Sequence, residues 1–150
     1  MTELMDRLDN NRKLLDHIVD SFQLRIFWKD KESRFIACNQ AFAKDAGFTN
    51  PAEVVGKTEF DMPWTTAEAE YHLQTDRSLM ESGEPMLSFE QGLTCPENKK
   101  SWILTSKIPT RSNAGEITGI LVLYQDMSFI KDLGKEGYKV NRAYQLLRSA

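Results

Sequence analysis

The stretch FWKDKESRFIACNQAFAKDAGF, residues 27–48, decides how the rest of the chain is read. Two short runs rich in Phe, Trp and Ile, at 24–29 and 34–38, flank the polar residues Asp30, Lys31, Glu32 and Ser33, a pattern that predicts a β-hairpin. Phe27 and Trp28 are neighbours on its first strand, so one meets the core and the other points away from it. After Cys38 the period changes. Ala41, Phe42, Ala43 and Ala46 fall at helical spacing and Gly47 stands where a helix ends, so a short helix is expected over 40–46. Asn39 sits at the junction, where its side-chain oxygen can accept a backbone N–H of the first helical turn.

Downstream, TNPAEVVGKT (49–58) reads as one capped helical turn, with Pro51 inside the start and Gly56 after the end. FDMPW (60–64) is not mid-helix, because Pro63 pushes Met62 toward extended geometry. A longer helix begins at Thr65 or Thr66, shows a face of Ala69, Leu73, Leu79 and Met80, and stops at Gly83 and Pro85. Three strand-like runs follow at 86–93, 101–110 and 116–127, joined by polar turns. Upstream, residues 1–22 form an amphipathic helix whose stripe is Leu4, Leu8, Leu15, Val19 and Phe22, widened by Met5 and Ile18. That stripe lasts about three heptads and can pack on its own domain or on a second copy. Residues 129–150 carry Val140, Ala143, Tyr144 and Leu147 at helical spacing and are expected to leave the domain as another helix.

Composition bounds the function. With 150 residues, 41% hydrophobic and 27% charged, the chain has the make-up of one soluble globular domain. A net charge of −3 and a pI near 5.5, with no stretch interleaving basic and aromatic residues, argue against nucleic-acid binding. Cys38 and Cys95 are isolated thiols without a secretory signal, which fits a cytoplasmic setting. The longest apolar run, ILVLY at 120–124, is far short of the ~20 residues of a bilayer span, so no membrane crossing is expected from this segment.

The order of two strands, short helices, one longer helix and three strands resembles a PAS domain over roughly residues 18–128. The matching stretches are IFWKDKESRFIACNQAFAKDAGF, VVGKTEFDMPW, DRSLMESGEP, SWILTSKIPT and GEITGILVLYQDMS. The resemblance implies an α+β fold: a five-stranded antiparallel sheet with short helices on one face, flanked by N- and C-terminal helices. It divides the chain into a leading helix (1–22), the PAS domain (23–128) and a linker helix (129–150). It also implies a sensory or relay module of bacterial signal transduction, of the kind found in two-component systems ahead of outputs such as a histidine kinase or diguanylate cyclase. No Gly-rich nucleotide loop, phosphotransfer His motif or GGDEF-like stretch occurs in the chain.

Catalytic patterns are poor, and the chain is read as a non-enzyme. His17 and His72 lie in helices with no nucleophile motif beside them, and neither cysteine has a second member at C-x-x-C spacing for zinc. The Asn-Cys-Arg-Phe-Leu-Gln motif by which some PAS relatives bond flavin is missing. Other relatives ligate haem through a histidine of the long helix, which leaves His72 as a minority haem-ligand reading against a plain amphipathic-helix histidine. The general PAS site implies a cavity between sheet and short helices, for which Phe42, Phe60, Trp64, Tyr71, Phe89, Trp102 and Leu104 are the lining candidates. Thr105, Asn39 or Tyr124 could supply polar groups. For each aromatic the competing reading is ordinary core packing.

Two functional readings therefore stand: a sensor whose cavity accepts a small molecule, and a ligand-free dimerisation module with a filled core. A homodimer suits both, since the apolar stripes of two terminal helices exceed what one sheet face can cover.

Overall fold

The structure, a computed structural model, describes residues 2–127. The hairpin of β1 (Arg25–Asp30) and β2 (Phe35–Cys38) forms as its sequence dictates, and Asn39 caps α2 (Gln40–Asp45). Two 3-10 turns follow, Pro51–Val54 and Glu59–Asp61, each with a capping box, from Asn50 with Glu53 and from Thr58 with Asp61. Thr65 caps α3 (Thr66–Ser82), and Gly83 ends it in the left-handed conformation with its N–H on the Leu79 carbonyl. The strands β3 (Met86–Thr94), β4 (Lys100–Arg111) and β5 (Ile117–Asp126) complete one five-stranded sheet of order β2-β1-β5-β4-β3, antiparallel throughout. The strands, α2, α3 and the Pro51–Val54 turn agree with the sequence reading to within a few residues, whereas the 3-10 turns Glu59–Asp61 and Pro96–Asn98 have no counterpart in it. The expected helix over 129–150 lies outside the described residues.

Pairing of β1 with β5 decides the geometry. Arg25 lies opposite Tyr124, so the start of β1 lies beside the end of β5. At the other end of the pair Gly119, opposite Asp30, permits close approach of the strands, because a Cβ there would collide with the Lys29 backbone carbonyl. α2, α3 and the two 3-10 turns between them cover one face of the sheet, where Phe27, Phe35, Phe42, Val54, Ile120 and Val122 are buried. The rings of Phe27 and Phe42 are 4.4 Å apart and those of Phe27 and Phe35 5.1 Å. The other face leaves Trp28, Ile36 and Ile108 exposed, so Phe27 is the inward and Trp28 the outward member of their pair.

Two features differ from expectation. The buried face of α3 is Ala69, His72, Asp76 and Leu79, whereas Leu73 and Met80 are only half-buried. The leading helix α1 (Thr2–Ser21) buries none of its residues. Leu4, Leu8, Leu15 and Phe22 are exposed and Val19 is half-buried, so the domain's own sheet does not cover the stripe. Among the described residues, no helix is long and apolar enough to cross a membrane.

Candidate functional site

Between the covered face of the sheet and α2, α3 and the Glu59–Asp61 turn lies a cavity of about 20 Å³, room for about one water molecule. Phe27, Phe42, Trp64, Ile103 and Val122 form its apolar wall, while Glu59, His72, Gln91, Thr105 and Lys107 contribute polar atoms. Of the residues expected here from sequence, Phe42, Trp64 and Thr105 line the cavity, as does Tyr124. The others do not. Phe60 is 55% exposed and Tyr71 46% exposed. Phe60 turns outward because the capping box sets the register of its 3-10 turn with Glu59 facing in. Trp102 and Leu104 fall on the opposite face of β4 from Ile103, Thr105 and Lys107, a consequence of the two-residue period of a strand. Phe89 pairs with Thr105 but stays half-buried at a bulge, away from the cavity. Asn39 is taken up by its cap and faces an outer cleft.

The most unusual feature of the site is a buried set of four charges that sequence reasoning missed. Lys29 Nζ pairs with Glu59 Oε1 and, at 2.6 Å, with Asp76 Oδ2. Lys107 Nζ contacts the other oxygen of Asp76 at 3.2 Å and the Thr75 hydroxyl at 3.0 Å. Trp64 Nε1 donates to Glu59 Oε2 at 2.7 Å. The set balances: two ammonium groups against two carboxylates. Register explains how the lysines meet. Lys29 lies opposite Ile120 and Lys107 opposite Val122, so they flank β5 from its two neighbouring strands beneath Asp76 of α3. Lys29 also lies over the rings of Phe35 and Phe27, at 5.1 and 5.6 Å from their centroids.

Protonation follows from this wiring. Burial alone would depress the Lys29 pKa, but Glu59 and Asp76 outweigh it and hold the ammonium above its ordinary value. Burial would likewise raise the Asp76 pKa, and the two lysines overcome it, keeping the carboxyl below the usual range. Lys107 has only a shared carboxylate and a neighbouring like charge, so burial wins and its pKa falls. His72 is pushed down to about 4, chiefly by burial, and is a neutral imidazole at pH 7. It packs edge-on against Trp64 at 6.1 Å. Haem does not fit here. A macrocycle on His72 would have to displace Trp64, Phe42 and the four-charge set from a cavity that accommodates one water.

Two buried side-chain oxygens, Thr105 Oγ1 and Gln91 Oε1, line the cavity and have no hydrogen-bond partner among the described residues. The Tyr124 ring forms another part of the wall, and its hydroxyl donates outward to Asp45 Oδ2 at 2.8 Å. The arrangement thus presents an aromatic wall, a neutral imidazole and those two oxygens beside an internally neutralised charge cluster.

Residues 19–128, which include this sheet and the cavity under its helical layer, match the PAS fold family model. The chain belongs to the PAS family. This PAS chain is 29% identical over 150 residues to the methanogenesis regulatory histidine kinase FilI of Methanothrix harundinacea, covering 95% of the chain but 16% of FilI. Among solved structures it resembles VqmA bound to DPO, with 28% identity, a TM-score of 0.64 and coverage of 76% of this chain and 58% of that one. It also resembles the Vibrio cholerae VqmA dimer in the absence of its target DNA, with 28% identity, a TM-score of 0.64 and coverage of 75% of this chain and 51% of that one. The PAS domain of an HTR-like protein from Haloarcula marismortui shares the fold at 19% identity and a TM-score of 0.61, over 85% of this chain and all of that one. The PAS chain therefore spans about a sixth of the curated relative it matches, and its family makes it a sensory module.

Proposed function

We propose that this PAS chain is the non-catalytic input module of a cytoplasmic signal-transduction protein of the two-component kind. It takes a small organic molecule between the sheet and α3 and passes the change through its terminal helices as a homodimer. The single observation that carries this reading is a pair of buried polar atoms without a hydrogen-bond partner among the described residues, Thr105 Oγ1 and Gln91 Oε1, on two residues that line an aromatic-walled cavity. Each buried, unsatisfied polar atom costs about 1–3 kcal/mol, so an occupant that donates to Gln91 Oε1 and exchanges a hydrogen bond with the Thr105 hydroxyl is favoured there. The likeness to VqmA bound to DPO supports a small organic occupant. The likeness to FilI supports a histidine kinase as the output, with a diguanylate cyclase as the other output common to such modules. Since the cavity admits about one water, an organic ligand selects an expanded arrangement of Phe42, Trp64 and Gln91 and shifts the population toward it.

The near-filled core favours a second reading, a dimerisation module that binds no ligand. The exposed stripe of α1 serves either reading, because an uncovered row of Leu4, Leu8 and Leu15 is a surface that a second copy can bury. A thermal-shift panel of small neutral organic compounds, DPO included, separates the two, with Thr105 and Gln91 followed by NMR. Under the sensor reading at least one compound raises Tm and moves both resonances, and Thr105→Val weakens the response. A dimer whose Tm and Thr105 signal ignore the whole panel leaves the ligand-free reading standing.

A further inference from the structure

At its C-terminal end α1 closes in a Schellman-type cap: the Leu24 N–H reaches the Val19 carbonyl at 3.0 Å and the Gln23 N–H the Asp20 carbonyl at 3.2 Å. The pivot of such a cap takes left-handed geometry, which glycine accepts without steric penalty. Here the pivot is Gln23, at φ 51°. A side chain in that conformation is disfavoured, so the pivot persists only where neighbouring groups hold it.

Two side-chain struts supply that hold, and both start in the cavity wall. In the first, Tyr124 OH donates to Asp45 Oδ2 at 2.8 Å, Arg25 Nε donates to the same carboxylate oxygen at 3.0 Å, and Arg25 Nη1 donates to the Gln23 carbonyl at 2.8 Å. In the second, Asn39 Oδ1 accepts the Phe42 N–H at 3.1 Å while Asn39 Nδ2 donates to the Leu24 carbonyl at 2.7 Å. Tyr124 and Phe42 line the cavity, with their rings 6.2 Å apart and edge-on. The struts end on consecutive carbonyls, 23 and 24, at the point where α1 joins the domain. Because α1 buries none of its own residues, little else fixes its direction.

We infer that the Tyr124–Asp45–Arg25 and Phe42–Asn39 struts couple the cavity to α1, so that a displacement of either ring re-aims the helix about Gln23 and Leu24. The inference deepens the sensor reading and rests on it for the cause of the displacement. The coupling itself needs no ligand. Arg25, Asp45 and Asn39 are positioning residues in this device: they touch no occupant and act by holding two carbonyls.

Amide hydrogen exchange on the 150-residue chain without ligand tests it. Tyr124→Phe and Arg25→Gln should each speed exchange at Gln23 and Leu24 by about tenfold, with the β4–β5 ladder unchanged. The double variant should be no faster than either single, since both break one strut. Gln23→Gly in the Tyr124→Phe background should restore protection, because glycine holds the pivot unaided. Ile103→Val, a change in the cavity wall away from both struts, should alter the rates at Gln23 and Leu24 in the native background, less beside Arg25→Gln, and not beside Arg25→Gln combined with Asn39→Ala, which breaks both struts. Unchanged rates in Tyr124→Phe, multiplicative effects of the two singles, or acceleration spread evenly over the sheet would each overturn the coupling. If Tyr124→Phe fails to fold, Asp45→Asn breaks the same strut and carries the same expectations. A compound panel without a binder alongside intact coupling sinks the sensor reading alone; a binder alongside unmoved rates sinks the coupling alone.

Discussion

Asn39 satisfies three backbone groups at once: it accepts from Phe42 N and Ile26 N and donates to the Leu24 carbonyl. The cap is local and readable at the strand-to-helix junction, whereas the reach to Leu24 spans fifteen residues and depends on how β1 enters the sheet. Asn39→Ala should therefore cost about 2–3 kcal/mol in chemical denaturation rather than the roughly 1 kcal/mol of a cap alone. A loss limited to the cap value would mean that water replaces Asn39 at the Ile26 N–H and the Leu24 carbonyl. Asp76 is the other pivotal residue, since both lysines share it and it is wholly buried. Asp76→Asn leaves two buried ammonium groups facing one carboxylate, and an uncompensated buried charge costs about 3–5 kcal/mol. Urea unfolding should show that drop, and Lys107→Met in the same background should recover part of it by restoring the charge balance. Recovery would be absent if Asp76 contributed only through packing.

At the scale of elements, α1 and β4 show what a pattern alone leaves open. The apolar stripe of α1 is plain in the sequence, but its partner is not, because amphipathicity records that a face must be covered without recording by what. Replacing Leu8 and Leu15 together with Glu should convert a dimer to a monomer in sedimentation equilibrium. The circular dichroism of the sheet should hardly change, as neither side chain is buried in the domain. Persistence of the dimer would move the interface to the exposed outer face of the sheet around Trp28, Ile36 and Ile108. In β4 the alternation is also legible, but both faces carry large apolar side chains, with Trp102 and Leu104 on one and Ile103 on the other. Choosing the face by aromatic content selects Trp102 and Leu104 wrongly. The better signal was Lys29 sharing the parity of Phe27, and Lys107 that of Ile103 and Thr105: two lysines on the face that closes the core. Asp76 repeats the lesson in α3, at helical spacing from Ala69, His72 and Leu79.

For the whole molecule, the buried charges and imidazole make stability depend on pH. His72 has a folded pKa of about 4 against 6.5 for the free side chain. Between those values the unfolded chain binds a proton that the folded chain refuses, so stability falls as the pH drops from about 6.5 to about 4. The full gap is about 3 kcal/mol, and Asp76, held below the usual carboxylate range, extends the loss in the same direction at lower pH. Urea midpoints measured across pH 4–8 should show the slope, and His72→Gln should flatten its upper limb. A flat profile in the native chain would mean that His72 is solvated. The sequence by itself determined the elements, their order, the caps at Asn39 and Thr65, and hence the PAS fold, because these depend on local period and on residues a few positions apart. Only the tertiary structure decided which charges meet beneath α3, which face of β4 closes the cavity, and how Tyr124 reaches Arg25 through Asp45. Those contacts join residues 20 or more positions apart, whose encounter is set by strand pairing and register rather than by any pattern within a segment.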